Sequence, residues 1–444
     1  LVLKSLGAGG GDSIGCFYNP HYIEIGALNH ALHTFKLQVR LATCTHKGVC
    51  ASPHEAAKLP LPSLVQEAET QNQSATATSH PTIRNSVPEK GAFPMDQEML
   101  KPYQQHAQKV WNEQQQQCLL DPALAPMLKH HFQSTGKLIR PALAMSFYDL
   151  LTQGTLLTHP QPPKPVCEMA IALELLHNGT LIHDDLQDGD AMRRGIPTVW
   201  KAFDAYQAIN AGSALYFHTL RIFAQLDVPH TQIATLCQLL SEQTLQILSG
   251  QALEKQLWQL FEQPHPPSYV ASSTLYLSIV QKKTSALFAL PLMCAATLAD
   301  LPYTQCLLLQ HIAHPLGAAF QIQDDILDLY GKKGRDKIGS DIAEGKPSLL
   351  ALSGLAQSSP EQAQKLYEII RAPRTQTQAQ DIQWAIKHIQ QSEALDRVVR
   401  HMESLYQEAS HAITQHFPRE QEPLQRFLKA LYQTITAPIQ HLLP

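Results

Sequence analysis

The 444-residue chain lacks most features that fix a protein's class at a glance. No apolar run reaches the ~18 residues that a membrane-spanning helix needs, so no integral membrane segment is expected. The eight cysteines include no C-x-x-C pair. That argues against a disulfide scaffold and suits a reducing, cytoplasmic setting. Charge of one sign is also missing. Lys and Arg total 34 against 38 Asp and Glu, a net of −4, so no global basic field points to nucleic acid. Only 16% of residues are charged and 44% are hydrophobic, enough to bury a sizeable core. One Cys/His grouping stands out, Cys44, His46, Cys50 and His54 in "CTHKGVCASPH". It fits no standard zinc-finger spacing and reads as polar loop.

Two regions differ in texture. Residues 1–94 contain "GAGGG" and "AETQNQSATATSHPTIRNSVPEKG", loop compositions without a sustained period. They are expected to form a low-complexity extension, disordered or dispensable. The chain opens on Leu1, which makes Met95 an alternative start, and Asp12 and Glu24 weaken a transit-peptide reading. From 95 to 444 apolar residues recur at three and four, the helical spacing. "PVCEMAIALELLHNGTLIHDDL" and "HIAHPLGAAFQIQDDILDLYG" read as helices, the second with Gly331 as its C-cap. "HPQPPKPV" and "EQPHPPS" read as loops between helices. Hairpin signals and βαβ alternation are absent. The expectation is one large all-α domain of roughly 350 residues.

Charge is concentrated in a few places. In "LIHDDLQDGDAMRRG", Leu181 to Gly195, four aspartates (Asp184, Asp185, Asp188 and Asp190) precede Arg193 and Arg194. On a helix Asp184 and Asp188 share a face, about 6 Å apart. Two bare carboxylates there repel by about 3 kcal/mol at an effective dielectric of ~20. A divalent cation reverses that sign, and an oxygen-only ligand set with no His or Cys points to Mg²⁺ with substrate phosphate and water completing its shell. One acidic pair alone is ordinary helix surface. A second copy at the same spacing, Asp324, Asp325 and Asp328 in "QIQDDILDLYG", again ends an apolar helix. Cations accompany both: Lys137 and Arg140 in "GKLIRP", Lys283 beside the hydroxyl of Thr284 in "QKKTSALF", Lys337 and Lys346 in "DKIGSDIAEGK". Each cation alone reads as a surface residue. Together with two carboxylate platforms they imply two diphosphates, one on metal and one on bare cations.

These motifs, in this order, resemble the trans-isoprenyl diphosphate synthases of the farnesyl and geranylgeranyl type. The resemblance covers about residues 130 to 350. It implies an all-helical bundle around a central cavity, usually a homodimer, that adds isopentenyl diphosphate to an allylic diphosphate with Mg²⁺. Asp184, Asp188 and Asp324 would then bind metal, supported by Asp185, Asp325 and Asp328. Arg193, Lys283, Thr284, Gln321, Lys337 and Lys346 would hold the allylic diphosphate. Lys137, Arg140, His177 and Arg194 would hold isopentenyl diphosphate. Two positions depart from the family pattern, Ser213 in "NAGSAL" and Glu254 in "GQALE", where aspartates are expected. The product chain is expected to grow down the helix of the first motif, with Gly179 and Thr180 as its floor. Gly179 cannot stop it, which favours geranylgeranyl diphosphate or longer. Tyr216 and Phe217 on a neighbouring helix offer an alternative floor. A farnesyl diphosphate synthase remains the nearest alternative. A non-catalytic regulatory subunit is the alternative of another class, although such a subunit should have lost one aspartate motif.

Overall fold

The structure, a computed structural model, describes residues 99–444 except 135, 261–264, 267, 332–337, 344–345, 373–375 and 444, together with two short strands nearer the start of the chain. The chain divides into two units, residues 1–81 and 82–444. In the first, β1 (Val2–Ser5) and β2 (Ile14–Phe17) pair antiparallel, Val2 opposite Phe17. The Cys44–His54 grouping and Met95 lie outside the described residues, as does Lys337.

The second unit is helical. Helices α1 (Lys101–Cys118), α2 (Ala125–His131), α3 (Ile139–Gln153) and α4 (Lys164–Asp188) lead into a hairpin of β3 (Met192–Arg193) and β4 (Ile196–Pro197). Next come α5 (Val199–Ala202), α6 (Ala205–Ala224), α7 (His230–Leu260) and α8 (Tyr269–Val280). One π-helical turn, Gln281–Ser285, joins α8 to α9 (Ala286–Leu298). Helices α10 (Tyr303–Leu308), α11 (Gln310–Tyr330), α12 (Ser340–Ala343) and α13 (Leu349–Gln357) follow. The chain then runs through α14 (Pro360–Arg371), α15 (Ala379–Gln391), α16 (Ala394–His416) and α17 (Gln421–Thr436). This is the all-α bundle expected from the apolar spacing.

Burial explains the order of packing. Helix α9 carries no charged residue and is buried along its whole length, as an all-round apolar helix must be. It is the central post, packed against α3, α7 and α11. Helix α4 lies beside it, flanked by α3 and α6. One apolar cluster joins α1, α3, α4, α6 and α9, and a second joins α11 to α13–α16. Most polar groups on α4 and α11 gather at the helix ends, with Glu174 and Asn178 of α4 and Gln323 of α11 buried among the exceptions.

The local sequence sets where these helices stop. Pro165 stands in the first turn of α4, where its missing N–H costs nothing. Gly189, with φ of 70°, ends α4 in the left-handed conformation, directly after Asp188. Helix α11 ends at Tyr330 with Gly331 as its C-cap, as expected, in extended backbone. The β3–β4 hairpin was not legible. Its turn residues, Arg194 (φ 50°) and Gly195 (φ 82°), both take positive φ as a tight primed turn requires. Arg-Gly does this work here in place of the usual Asn-Gly.

The π turn is gripped from both sides by glycine. A Cβ on Gly250 of α7 would lie 2.6 Å from the Lys283 backbone nitrogen, and one on Gly317 of α11 would lie 2.5 Å from Ser285 Cα. Backbone cannot yield as a flexible side chain does, so both positions need glycine. Gly317→Ala is expected to lower stability by about 1–3 kcal/mol, the usual cost of overpacking. Denaturant unfolding measures it, and an unchanged midpoint would contradict the close approach.

Candidate active site

The C-terminal ends of α4 and α11 open onto one cavity of about 320 Å³. Asp184 and Asp188 line it from α4, Asp324 and Asp325 from α11, and Glu254 from α7. The π turn adds Lys283 and Thr284, and the segment after α12 adds Lys346. Roughly one turn further along the same elements the lining becomes apolar, with Leu287 below Lys283 and Phe320 below Asp324. Ile247, Leu257, Ile279 and Val280 complete that part. The cavity is charged at one level and greasy at the next.

The charges are paired across helices. Lys283 Nζ sits between Asp184 Oδ1 at 3.0 Å and Glu254 Oε2 at 2.8 Å. Burial works against the Lys283 ammonium, but Asp184 and Glu254 overcome it and hold its pKa above the ordinary lysine value. Lys346 Nζ lies 2.7 Å from Asp188 Oδ2. Arg193 Nε lies 2.6 Å from Asp185 Oδ1. Burial pushes the Asp185 carboxyl up to about 6 despite that partner. Thr284 Oγ1 donates to Gln321 Oε1 at 2.9 Å, and Gln321 Nε2 donates to Asp325 Oδ1 at 3.1 Å. The Tyr276 hydroxyl donates to Asp325 Oδ2 at 2.5 Å.

A second polar corner of the same cavity holds Arg140 and His177. Below it lies Glu174, 3% exposed. Asn178 Nδ2 donates to the Glu174 carbonyl at 2.8 Å, and His131 Nε2 meets Asn178 Oδ1 at 2.9 Å. Arg140 Nε, Glu174 Oε2 and His177 Nδ1 are buried without a protein partner. Burial, then Arg140 and Arg194, keep the His177 imidazole well below the ordinary histidine pKa, so it is neutral. Burial raises the Glu174 carboxyl, with Arg140 and Arg194 opposing.

The donor set at the charged level suits a hard cation. It consists of carboxylate oxygens from two helices, and Lys283 and Lys346 already occupy that negative potential. Among the described residues no three His, Cys, Asp or Glu side chains converge into a ready-made metal cage. Asp184, Asp188 and Asp324 therefore fit an ion that takes part of its shell from water or a bound phosphate.

The polyprenyl synthetase family model matches residues 121–389. The chain belongs to this family. Among similar proteins, the short chain isoprenyl diphosphate synthase of Methanocaldococcus jannaschii is 32% identical over 265 residues, 59% of this chain and 76% of that one. The geranylgeranyl pyrophosphate synthase of Geoglobus acetivorans is 31% identical over 231 residues, 52% of this chain and 67% of its own. A crystal structure of a geranylgeranyl pyrophosphate synthase superposes with a TM-score of 0.62 at 25% identity, over 74% of this chain and 98% of that one. A Caulobacter crescentus polyprenyl synthase complexed with calcium and isoprenyl diphosphate has a TM-score of 0.63 at 24% identity, over 79% and 99%.

The fold brings most of the expected site residues together. Asp184, Asp188, Asp324, Asp325, Arg193, Lys283, Thr284, Gln321, Lys346, Arg140, His177 and Thr180 all line the cavity. Others stand elsewhere. Lys137 is exposed and outside the lining, on the approach to α3. The Arg194 guanidinium donates to the Ser134 carbonyl at 2.9 Å and lies against Gly136, tying the hairpin to the "GKLIRP" segment. Asp185 is buried beneath the platform. Asp328 accepts from the Ser340 hydroxyl and the Asp341 backbone N–H, so it organises the turn into α12 and does not face the cavity. Gly179 is buried against α6 and does not form the floor. Ser213 is also absent from the lining, whereas Glu254, the other departure, is on it. Sequence reasoning passed over Glu174, Tyr276 and Gln251. Glu174, a lone acid inside an apolar helix run, carried the one usable signal.

His131, 5% exposed, has its pKa pushed down to about 4, chiefly by burial. The unfolded chain therefore takes up this proton first as pH falls from about 6.5. Stability is full above that pH and is lost towards pH 4, by up to about 3 kcal/mol from this group. His131→Gln, which can keep a bond to Asn178, is expected to flatten Tm against pH between 6.5 and 4. Parallel curves for the two proteins would exclude His131 as the source.

Proposed function

We propose that the protein joins isopentenyl diphosphate head-to-tail to an allylic diphosphate, giving a trans-polyprenyl diphosphate of geranylgeranyl length or close to it. One observation carries this reading. Two carboxylate-bearing helix ends face one cavity above an apolar level, and a separate cationic corner opens into the same space. The names of the similar proteins support the substrate class.

We assign a divalent ion, Mg²⁺, to Asp184, Asp188 and Asp324. Bound there, it supplies positive charge to the leaving diphosphate. The chain's own residues do the rest. Lys283 and Lys346, now on Asp184 and Asp188, turn to the diphosphate oxygens and stabilise charge as the allylic C–O bond breaks. Arg140 and neutral His177 hold isopentenyl diphosphate so that its alkene faces the electron-poor carbon. Leu287, Phe320 and Ile247 keep water away from that carbon. The alkene forms the new C–C bond, and the proton lost from the adduct passes to the departed pyrophosphate. Residues 1–94 take no part in this chemistry, so a chain starting at Met95 should keep it.

The partner is a second copy of the chain. Tyr206 (81% exposed), Ile209 (51%) and Phe217 (71%) form one face of α6, and Leu245 (65%) stands on α7 beside it. An apolar stripe of that kind marks an interface.

Purified protein with Mg²⁺, isopentenyl diphosphate and dimethylallyl, geranyl or farnesyl diphosphate is expected to give one dominant elongated product by mass spectrometry. No elongation from any starter would overturn the reading and favour a regulatory subunit. Asp184→Asn should lower turnover on the order of a hundredfold or more. Light scattering should find a dimer, and Ile209→Glu should shift it to monomer; a monomeric unmodified protein would refute the assembly.

A further inference from the structure

Beside the first aspartates the cavity is lined from two helices, α4 and its neighbour α6. Along α4 the lining descends from Asp184 through Leu181 to Thr180 and His177. Leu175 and Leu176, one turn deeper, are fully buried and lie outside the lining. Thr180 is small, and its hydroxyl donates back to the His177 carbonyl at 2.7 Å. Gly179 offers no side chain. On the side facing α6, Gly179 leaves a notch in α4.

That space is filled by Tyr216 of α6, which lines the cavity. A Cβ on Gly179 would lie 2.9 Å from Tyr216 Cε1 and 3.0 Å from Cδ1. The ring therefore occupies the position that a side chain at 179 would claim. Gly179 lies five residues before Asp184, about 7.5 Å along the helix axis at about 1.5 Å per residue. The arrangement is reciprocal. His183 of α4 sits where a Cβ on Gly212 of α6 would fall, 2.3 Å from its Nε2. The His183 and Tyr216 rings meet edge to face at 5.3 Å. Each helix sends one ring into a glycine notch on the other, so the Tyr216 ring is held in place and cannot swing into α4. Its neighbour Phe217 points outward and is 71% exposed.

We propose that Tyr216 sets the product length, its ring acting as a stop lent to the α4 wall across the Gly179 notch. The inference rests on the synthase reading. It reverses the expectation drawn from Gly179 alone, because the glycine marks the seat of a stop and does not mark an open path. The hydroxyl plays no part in it, so a phenyl ring should serve as well.

The test compares products of the unmodified protein with those of Tyr216→Phe, Tyr216→Leu and Tyr216→Met, by mass spectrometry with farnesyl diphosphate as starter. Tyr216→Phe should keep the original length. Tyr216→Leu and Tyr216→Met should each lengthen the main product by at least one isoprene unit while condensation continues. Met, unbranched and flexible, adapts to the notch better than branched Leu and stands in if Leu lowers Tm. An unchanged length in the active variants overturns the proposal. Loss of condensation in folded variants overturns it too, because a floor residue is not needed for bond formation. If the unmodified protein makes no elongated product, the synthase reading itself has failed, which is a separate result.

Discussion

Negative charge at the closed end of a helix is the constraint on which this structure turns. Both α4 and α11 deliver aspartates at their C-terminal ends, where unpaired carbonyls already make the helix dipole negative. Carboxylates are disfavoured there and repel one another across the cavity. The fold answers with ammonium groups from outside both helices. Lys283 comes from the π turn and Lys346 from the segment after α12. The carboxylates of the site are bridged by its own lysines.

The π turn follows from the same constraint. A regular helix through 281–285 would carry Lys283 and Thr284 in a different phase. The extra residue in the turn brings both to the cavity, and glycines at 250 and 317 make room for its wider backbone. Glu254 then gains a purpose. Reading it as a departure from a family pattern left its role open, whereas in space it clamps Lys283 from the side opposite Asp184. The second corner is built differently. Arg140 stands over the buried acid Glu174, with His131 and Asn178 bracing it, so positive charge is stored over an internal counter-charge. Two clusters of distinct construction, one of carboxylates clamped by lysines and one of Arg140 and His177, thus share one cavity.

Much of this was legible in the sequence because it depends on spacing along a helix. The three- and four-residue apolar period gave the bundle, Pro165 gave the start of α4, and the repeated aspartate spacing gave the carboxylate platforms. Twelve of the expected site residues line the cavity. Lys137, Arg194, Asp185 and Asp328 carry the right charge in the right motif, yet they are turned to the surface, to a loop carbonyl, to Arg193 or to the turn before α12. Adjacent residues on a helix differ by about 100° in direction, so a motif fixes which pair shares a face and leaves open which face is inward.

By itself the sequence determined the helical class, the chemistry of the ligands and the order of the motifs, since these follow from residue type and near-neighbour spacing. Only the tertiary structure decided who stands next to whom across helices. Lys283 with Glu254, Arg140 over Glu174 and Tyr216 in the Gly179 notch join residues 29 to 37 positions apart. Such pairs depend on how two helices pack, and helix packing is set by the shapes of whole faces. A glycine in the sequence is only a missing side chain; the neighbouring helix determines whether the gap is empty or filled.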